Sequence, residues 1–135
     1  MTEVRTVTLE RDLPHPPEKV WRAITTPHLV AEWLLPGDIR PEPGHAFRFE
    51  SPDIGAIDCE VLEAQPPHRL VYTWKAGGLD STVTFTLEPS GGGTRLVLDQ
   101  TGFSTDQTRE FHGARAGWGH FLDRLAPVLD KGDAQ

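Results

Sequence analysis

Between Thr108 and Leu129 the apolar residues Phe111, Ala114, Trp118, Phe121, Leu122, Leu125 and Leu129 recur at spacings of three and four. That is the period of an α-helix with one buried face. Arg109, His112, His120, Asp123 and Arg124 take the opposite side. At ~1.5 Å per residue such a helix is about 30 Å long, enough to span a small domain. A lone amphipathic helix of this length needs an apolar surface to lie on, so the residues before it decide the fold.

Those residues mostly alternate. From Val4 to Leu13, Val7, Leu9 and Leu13 share one face against Thr6, Thr8, Glu10 and Asp12, the pattern of a half-buried strand. Pro14-His15-Pro16-Pro17 stops it, and prolines suit the start of a helix, where their fixed φ is already helical. Val20, Ala23 and Ile24 form the inward side of that short helix, Glu18 favours its positive end, and Leu29, Val30, Trp33 and Leu34 mark a second one after Thr26-Pro27. Leu35 to Gly44, with Pro36-Gly37, Pro41 and Pro43-Gly44, reads as a loop.

Strands at hairpin spacing follow, and they place Phe47 and Phe49, then Ile57, Cys59 and Val61, on one face. Leu70, Tyr72 and Trp74, then Val83, Phe85 and Leu87, and finally Leu96 and Leu98 continue it. Short Pro or Gly turns join neighbours, so the sheet should be antiparallel. The expected fold is α+β: a curved antiparallel sheet of about six strands wrapped around the C-terminal helix, with two short helices after strand 1. Residues 1–135 suit one domain, with the last few residues disordered.

Composition removes several function classes. A net charge of −7 argues against nucleic acid and anionic membranes, both of which need basic patches. No apolar run approaches membrane-spanning length, and Met1-Thr2-Glu3-Val4-Arg5 has no signal-peptide character, so a cytoplasmic location is the expectation. The single cysteine, Cys59, excludes an internal disulfide.

The order of elements resembles the helix-grip fold of the START-like (SRPBCC) superfamily. Four stretches narrow the likeness to the family named for activators of the heat-shock-protein-90 ATPase. They are Pro17-Glu18-Lys19-Val20-Trp21-Arg22-Ala23; Glu60-Val61-Leu62-Glu63 with Pro66-Pro67-His68-Arg69-Leu70-Val71-Tyr72-Thr73-Trp74; Gly93-Thr94-Arg95-Leu96 through Thr101-Gly102-Phe103; and Gly117-Trp118 with Leu122 and Leu125. His45 stands where relatives often have glycine, and Gln100 lies where they often have a nearby histidine. The superfamily includes lipid binders, cyclases, self-resistance proteins and co-chaperone domains, so the resemblance implies a fold and a cavity rather than one activity.

The residues offer few other sites. The six histidines are scattered without metal-ligand spacing, His45 alone being in phase with Phe47 and Phe49, and no metal or cofactor is expected. Gly91-Gly92-Gly93-Thr94 lacks the Lys-Ser/Thr of a phosphate loop and reads as a hairpin. Polar residues in phase with the apolar face are more informative: Arg11 with Leu9, Glu63 with Val61, Ser81 with Val83, Gln100 with Leu98.

Small-molecule sites are concave and apolar with a few placed polar groups. The expected ligand is a small hydrophobic or aromatic molecule held without catalysis between sheet and helix. Its walls would be Phe47, Phe49, Tyr72, Trp74, Phe85, Trp118 and Leu122, with Arg11, Glu63, Gln100 and Arg115 as polar contacts. The loop Leu35 to Gly44 and the turn Lys75 to Leu79 would be its flaps. A cyclase or hydrolase using Arg11, Glu63, Tyr72 and Gln100 is one alternative, and a chaperone-interacting module another; a homodimer is left open. Gly113, Gly117 and Gly119 each weaken a helix by about 1 kcal/mol relative to alanine, which calls for either close packing on the sheet or a helix that moves to admit ligand.

Overall fold

Every alternating stretch becomes a strand and every three-four stretch a helix. A computed structural model describes residues 4–131; the disorder expected for the last few residues concerns 132–135, outside the described residues. The order is β1 (Val4–Leu13), α1 (Pro17–Thr25), α2 (Pro27–Trp33), β2 (Ala46–Ser51), β3 (Gly55–Gln65), β4 (Arg69–Ala76), β5 (Leu79–Ser90), β6 (Gly93–Ser104) and α3 (Thr108–Lys131). The strands form one antiparallel sheet ordered β1-β6-β5-β4-β3-β2. Short turns generate the β2-to-β6 meander. Only the β1–β6 pairing, which brings Val7 opposite Gln100 and Leu9 opposite Leu98, joins strands far apart in sequence.

Two bulges set which residues face inward. In β6, Arg5 pairs with Phe103 and Thr6 with Thr101, leaving Gly102 as the extra residue at φ +128°. A Cβ there would stand 2.5 Å from the Asp80 carbonyl oxygen, so glycine is required for both conformation and space. In β3, Val61 pairs with Tyr72 but Glu63 pairs with Val71, so Leu62 is the extra residue and the alternation changes phase. Val61 points inward and is fully buried, and Glu63 turns to the outer face. Period two makes a one-residue slip exchange faces for everything beyond it.

The inner face and the helices bury one continuous core. Trp33, with no exposure, donates its indole N–H to the Ala23 carbonyl (2.9 Å) and meets Phe85 edge-on, tying α2 to α1 and to the sheet. The backbone of α3 approaches β1, β6, α1 and α2. Toward β4 and β5 the gap is bridged by large rings: Trp118 lies 5.2 Å from Trp74 and 6.0 Å from Phe85. The backbone of α3 thus runs close to the β1–β6 side and stands off from β4 and β5, and that offset positions the site.

The loop from Leu35 to Gly44 is part of the core rather than the expected flap. Leu35 and Ile39 are buried. The Glu50 N–H donates to the Pro36 carbonyl (3.2 Å), and His45 Nε2 lies 2.7 Å from the Asp38 carbonyl oxygen. A Cβ on Gly37 would come within 2.6 Å of the Phe49 ring.

Candidate functional site

Most of the aromatic residues expected to wall a cavity fill it instead. Phe47 and Phe49 on β2, Tyr72 on β4 and Phe85 on β5 are buried and interlock, with Phe47–Phe49 at 5.2 Å, Phe47–Tyr72 at 5.5 Å and Tyr72–Phe85 at 6.2 Å. Such tilted and edge-on contacts suit the ring quadrupoles and exclude open space. Burial holds the Tyr72 phenol well above its ordinary pKa, with nearby Cys59 adding to the rise. The Cys59 thiol is pushed up to about 12, first by burial and then by Asp58. It is an inert thiol at neutral pH. Leu122 is likewise packed in the core.

Open space begins where this ring stack ends. A cleft of about 430 Å³ lies between the first half of α3 and the turns joining β2 to β3 and β4 to β5. Trp74 and Trp118 form its inner end, Ala76, Gly77 and Leu79 one wall, Ser51, Asp53 and Ile54 another. Gly113, Ala114, Gly117 and Phe121 supply the helix wall, and Glu110 stands at the rim. The volume lies within the range of small-molecule sites. The turn from Lys75 to Leu79 thus borders the cleft as expected, while its other lip is the β2–β3 turn.

The glycines of α3 explain the helix wall. A Cβ on Gly113 or Gly117 would meet nothing within 4 Å, and on Gly119 only Arg11 Nη2 at 3.9 Å. Close packing against the sheet therefore does not require them. Bare backbone at Gly113 and Gly117 keeps the wall recessed.

One polar chain runs through the inner end. Trp118 Nε1 donates to Gln100 Oε1 (2.7 Å), Gln100 Nε2 to Ser81 Oγ (2.9 Å), and Ser81 Oγ to the Trp74 carbonyl (2.8 Å). Gln100 and Ser81 are 1% and 2% exposed, so each bond replaces one that water would have made. The chain fixes the Trp118 indole and the Trp74 backbone, the Trp74 ring being held by packing against Phe49 and Trp118, and Gln100 presents a buried amide to the cleft.

The other expected polar contacts lie elsewhere. Glu63, turned outward by the β3 bulge, accepts from Arg69 Nε (3.1 Å) and Gln65 Nε2 (2.6 Å). Arg11 emerges beyond the side of α3 at Gly119, donating to the Glu10 carbonyl (2.9 Å) and to Asp123 Oδ1 (3.3 Å). Arg115 is exposed and does not line the cleft. Of Arg11, Glu63, Tyr72 and Gln100, offered above for catalysis, only Gln100 reaches the cleft. Sequence reasoning missed Asp53, Ile54 and Glu110, which carry no periodic signal because turn and helix-start residues are placed by tertiary contacts. The paired glycines four apart on the helix were the available sign of an open wall.

A second cleft of about 360 Å³ lies between α1, α2 and the last turns of α3, floored by Ala23, Leu29, Val128 and Leu129. Lys19, Arg22, His28, Glu32 and Lys131 border it, with Lys131 Nζ 3.0 Å from Glu32. It contains none of the residues expected to bind ligand. Among the described residues no His, Cys, Asp or Glu side chains gather in threes to hold a metal ion, and no helix is long and apolar enough to cross a membrane. The exposed large hydrophobics Val4, Ile54 and Leu62 sit on β1, the β2–β3 turn and β3.

Comparison with known proteins matches this architecture. A protein from Mesorhizobium loti, MLL2253, has a solved structure that superposes with a TM-score of 0.91 at 46% identity, covering 96% of this chain and 99% of that one. DynU16, a protein in the dynemicin biosynthetic locus, superposes at 0.84 with 29% identity over 94% of this chain, which spans 48% of its length. CalU16 from Micromonospora echinospora gives 0.78 and 28%, covering 94% of this chain and 77% of that one. No functionally curated protein matches the chain. Residues 14–130, from the end of β1 almost to the end of α3, match the family described as activator of Hsp90 ATPase homolog 1-like protein, and the chain belongs to that family.

Proposed function

We propose that the protein binds a small hydrophobic or aromatic molecule, without transforming it, in the cleft between the first half of α3 and the β2–β3 and β4–β5 turns. The observation that carries this reading is the pairing of locked indoles with an unfilled wall. The Trp118 indole is held by the Gln100–Ser81 chain and the Trp74 ring by packing against Trp118 and Phe49, while Gly113 and Gly117 leave space that side chains would otherwise occupy. A helix serving only as a core lid gains about 1 kcal/mol from alanine at each such position. Pre-organised apolar walls with one buried amide suit a ligand whose rings stack on indole and whose single polar atom meets Gln100. DynU16 belongs to a biosynthetic locus, a setting in which small organic molecules are at hand.

A thermal-shift screen of aromatic compounds tests this. A ligand at 100 times its Kd adds about 2.7 kcal/mol, or roughly 10 °C for a chain of this length. Gly117→Leu, which puts a good helix former where a Cβ meets nothing, should fold normally and abolish the shift. A confirmed ligand whose affinity survives both Gly117→Leu and Trp118→Ala binds elsewhere and overturns the assignment.

A further inference from the structure

We infer that the cleft selects aromatic or apolar molecules bearing a cationic group, an ammonium or amidinium, over neutral and anionic ones of the same shape; this rests on the cleft being the ligand site. Its charged lining residues are Asp53 on the β2–β3 turn and Glu110 in the first turn of α3, both exposed, so one lip and the helix rim each carry a carboxylate. No Lys, Arg or His lines it among the described residues. The arginines expected to supply a cation are committed elsewhere or point away: Arg11 to Asp123, Arg115 to solvent. The inner end is bounded by Trp74 and Trp118, and indole is the aromatic ring that attracts a cation best.

The physical consequences are directional. An anion entering near the two carboxylates is repelled and finds no compensating cation among the lining residues. A cation gains from both carboxylates while its apolar body replaces water against Ala76, Leu79, Ala114 and Phe121. Because the carboxylates are solvent-exposed, the preference is modest and falls as salt rises. A factor of about five to ten in Kd is the expected scale at low ionic strength.

The test uses three isosteric probes: naphthylmethylammonium, naphthylmethanol and naphthoate, each titrated by NMR while the indole N–H signals of Trp74 and Trp118 are followed. The expected result is Kd rising in that order, with the cation about fivefold or more tighter than the alcohol. In Asp53→Asn/Glu110→Gln the ratio of the cation's affinity to the alcohol's should fall toward one; circular dichroism checks the fold. Equal binding of all three, tightest binding of naphthoate, or a preference that survives the double variant overturns the inference and leaves the cleft as a ligand site. If none of the probes moves either indole signal, both the inference and the cleft reading fall.

Discussion

Replacing Gly113 and Gly117 by alanine should make the protein more stable and bind less well. Neither glycine has positive φ, and a Cβ at either meets nothing within 4 Å, so the methyl groups enter without strain. Alanine improves on glycine by about 1 kcal/mol in a helix interior, partly by restricting the unfolded chain. Together the two should contribute about 1.5–2 kcal/mol. With an unfolding entropy near 2.1 cal/mol/K per residue, that raises Tm by roughly 5–7 °C. Calorimetry of the double variant measures it, with Gly102→Ala as the opposite control. There φ is +128° and the Cβ would clash with the Asp80 carbonyl at 2.5 Å, so Tm should fall. The same double variant should weaken a cleft ligand at least fivefold, which is about 1 kcal/mol. If Tm falls or stays constant, the glycines serve the fold, and the inference from empty Cβ positions to a recessed wall is refuted.

Other expectations follow from the same geometry. Gln100→Leu orphans the Trp118 indole N–H and should lower urea-unfolding stability by about 1–3 kcal/mol; adding Trp118→Phe should recover part of that loss, and strict additivity would show the bond contributes nothing. The raised Cys59 pKa keeps the folded protein protonated where the unfolded chain has lost its proton. Stability should therefore be intact below about pH 9 and decline above it, Cys59 contributing up to about 1.4 kcal/mol per pH unit and the buried Tyr72 phenol adding to the slope above about pH 10. Cys59→Ala should abolish the decline between about pH 9 and 10 and leave the Tyr72 part above it; an unchanged slope between those values would remove the cause. Glu63→Gln breaks only a half-exposed ion pair with Arg69, so stability should change by less than about 1 kcal/mol and cleft binding not at all; a lost ligand would place Glu63 back in the site.

The apolar face of the sheet was legible because period-two alternation reports burial directly. Phe47, Phe49, Tyr72, Trp74 and Phe85 all face inward as the pattern requires. What alternation does not report is whether inward rings touch each other or line a void. The same five positions are consistent with an open pocket or with the interlocked stack at 5–6 Å separations that the structure contains. Glu63 shows a second limit. Its phase with Val61 holds only for an unbroken strand, and the bulge at Leu62, set by pairing with β4, reverses it.

By itself the sequence determined the elements, their order, the antiparallel meander and the buried stripe of the long helix, because each follows from local periodicity and turn chemistry. Tertiary structure alone decided where space remains. The pairing of β1 with β6 and the offset of α3 from the central strands depend on how large side chains fill the gap between helix and sheet. That filling ends at Trp74 and Trp118, and the cleft opens beyond them against Gly113 and Gly117. Packing is a property of volumes that meet across the fold, and no one-dimensional pattern carries it.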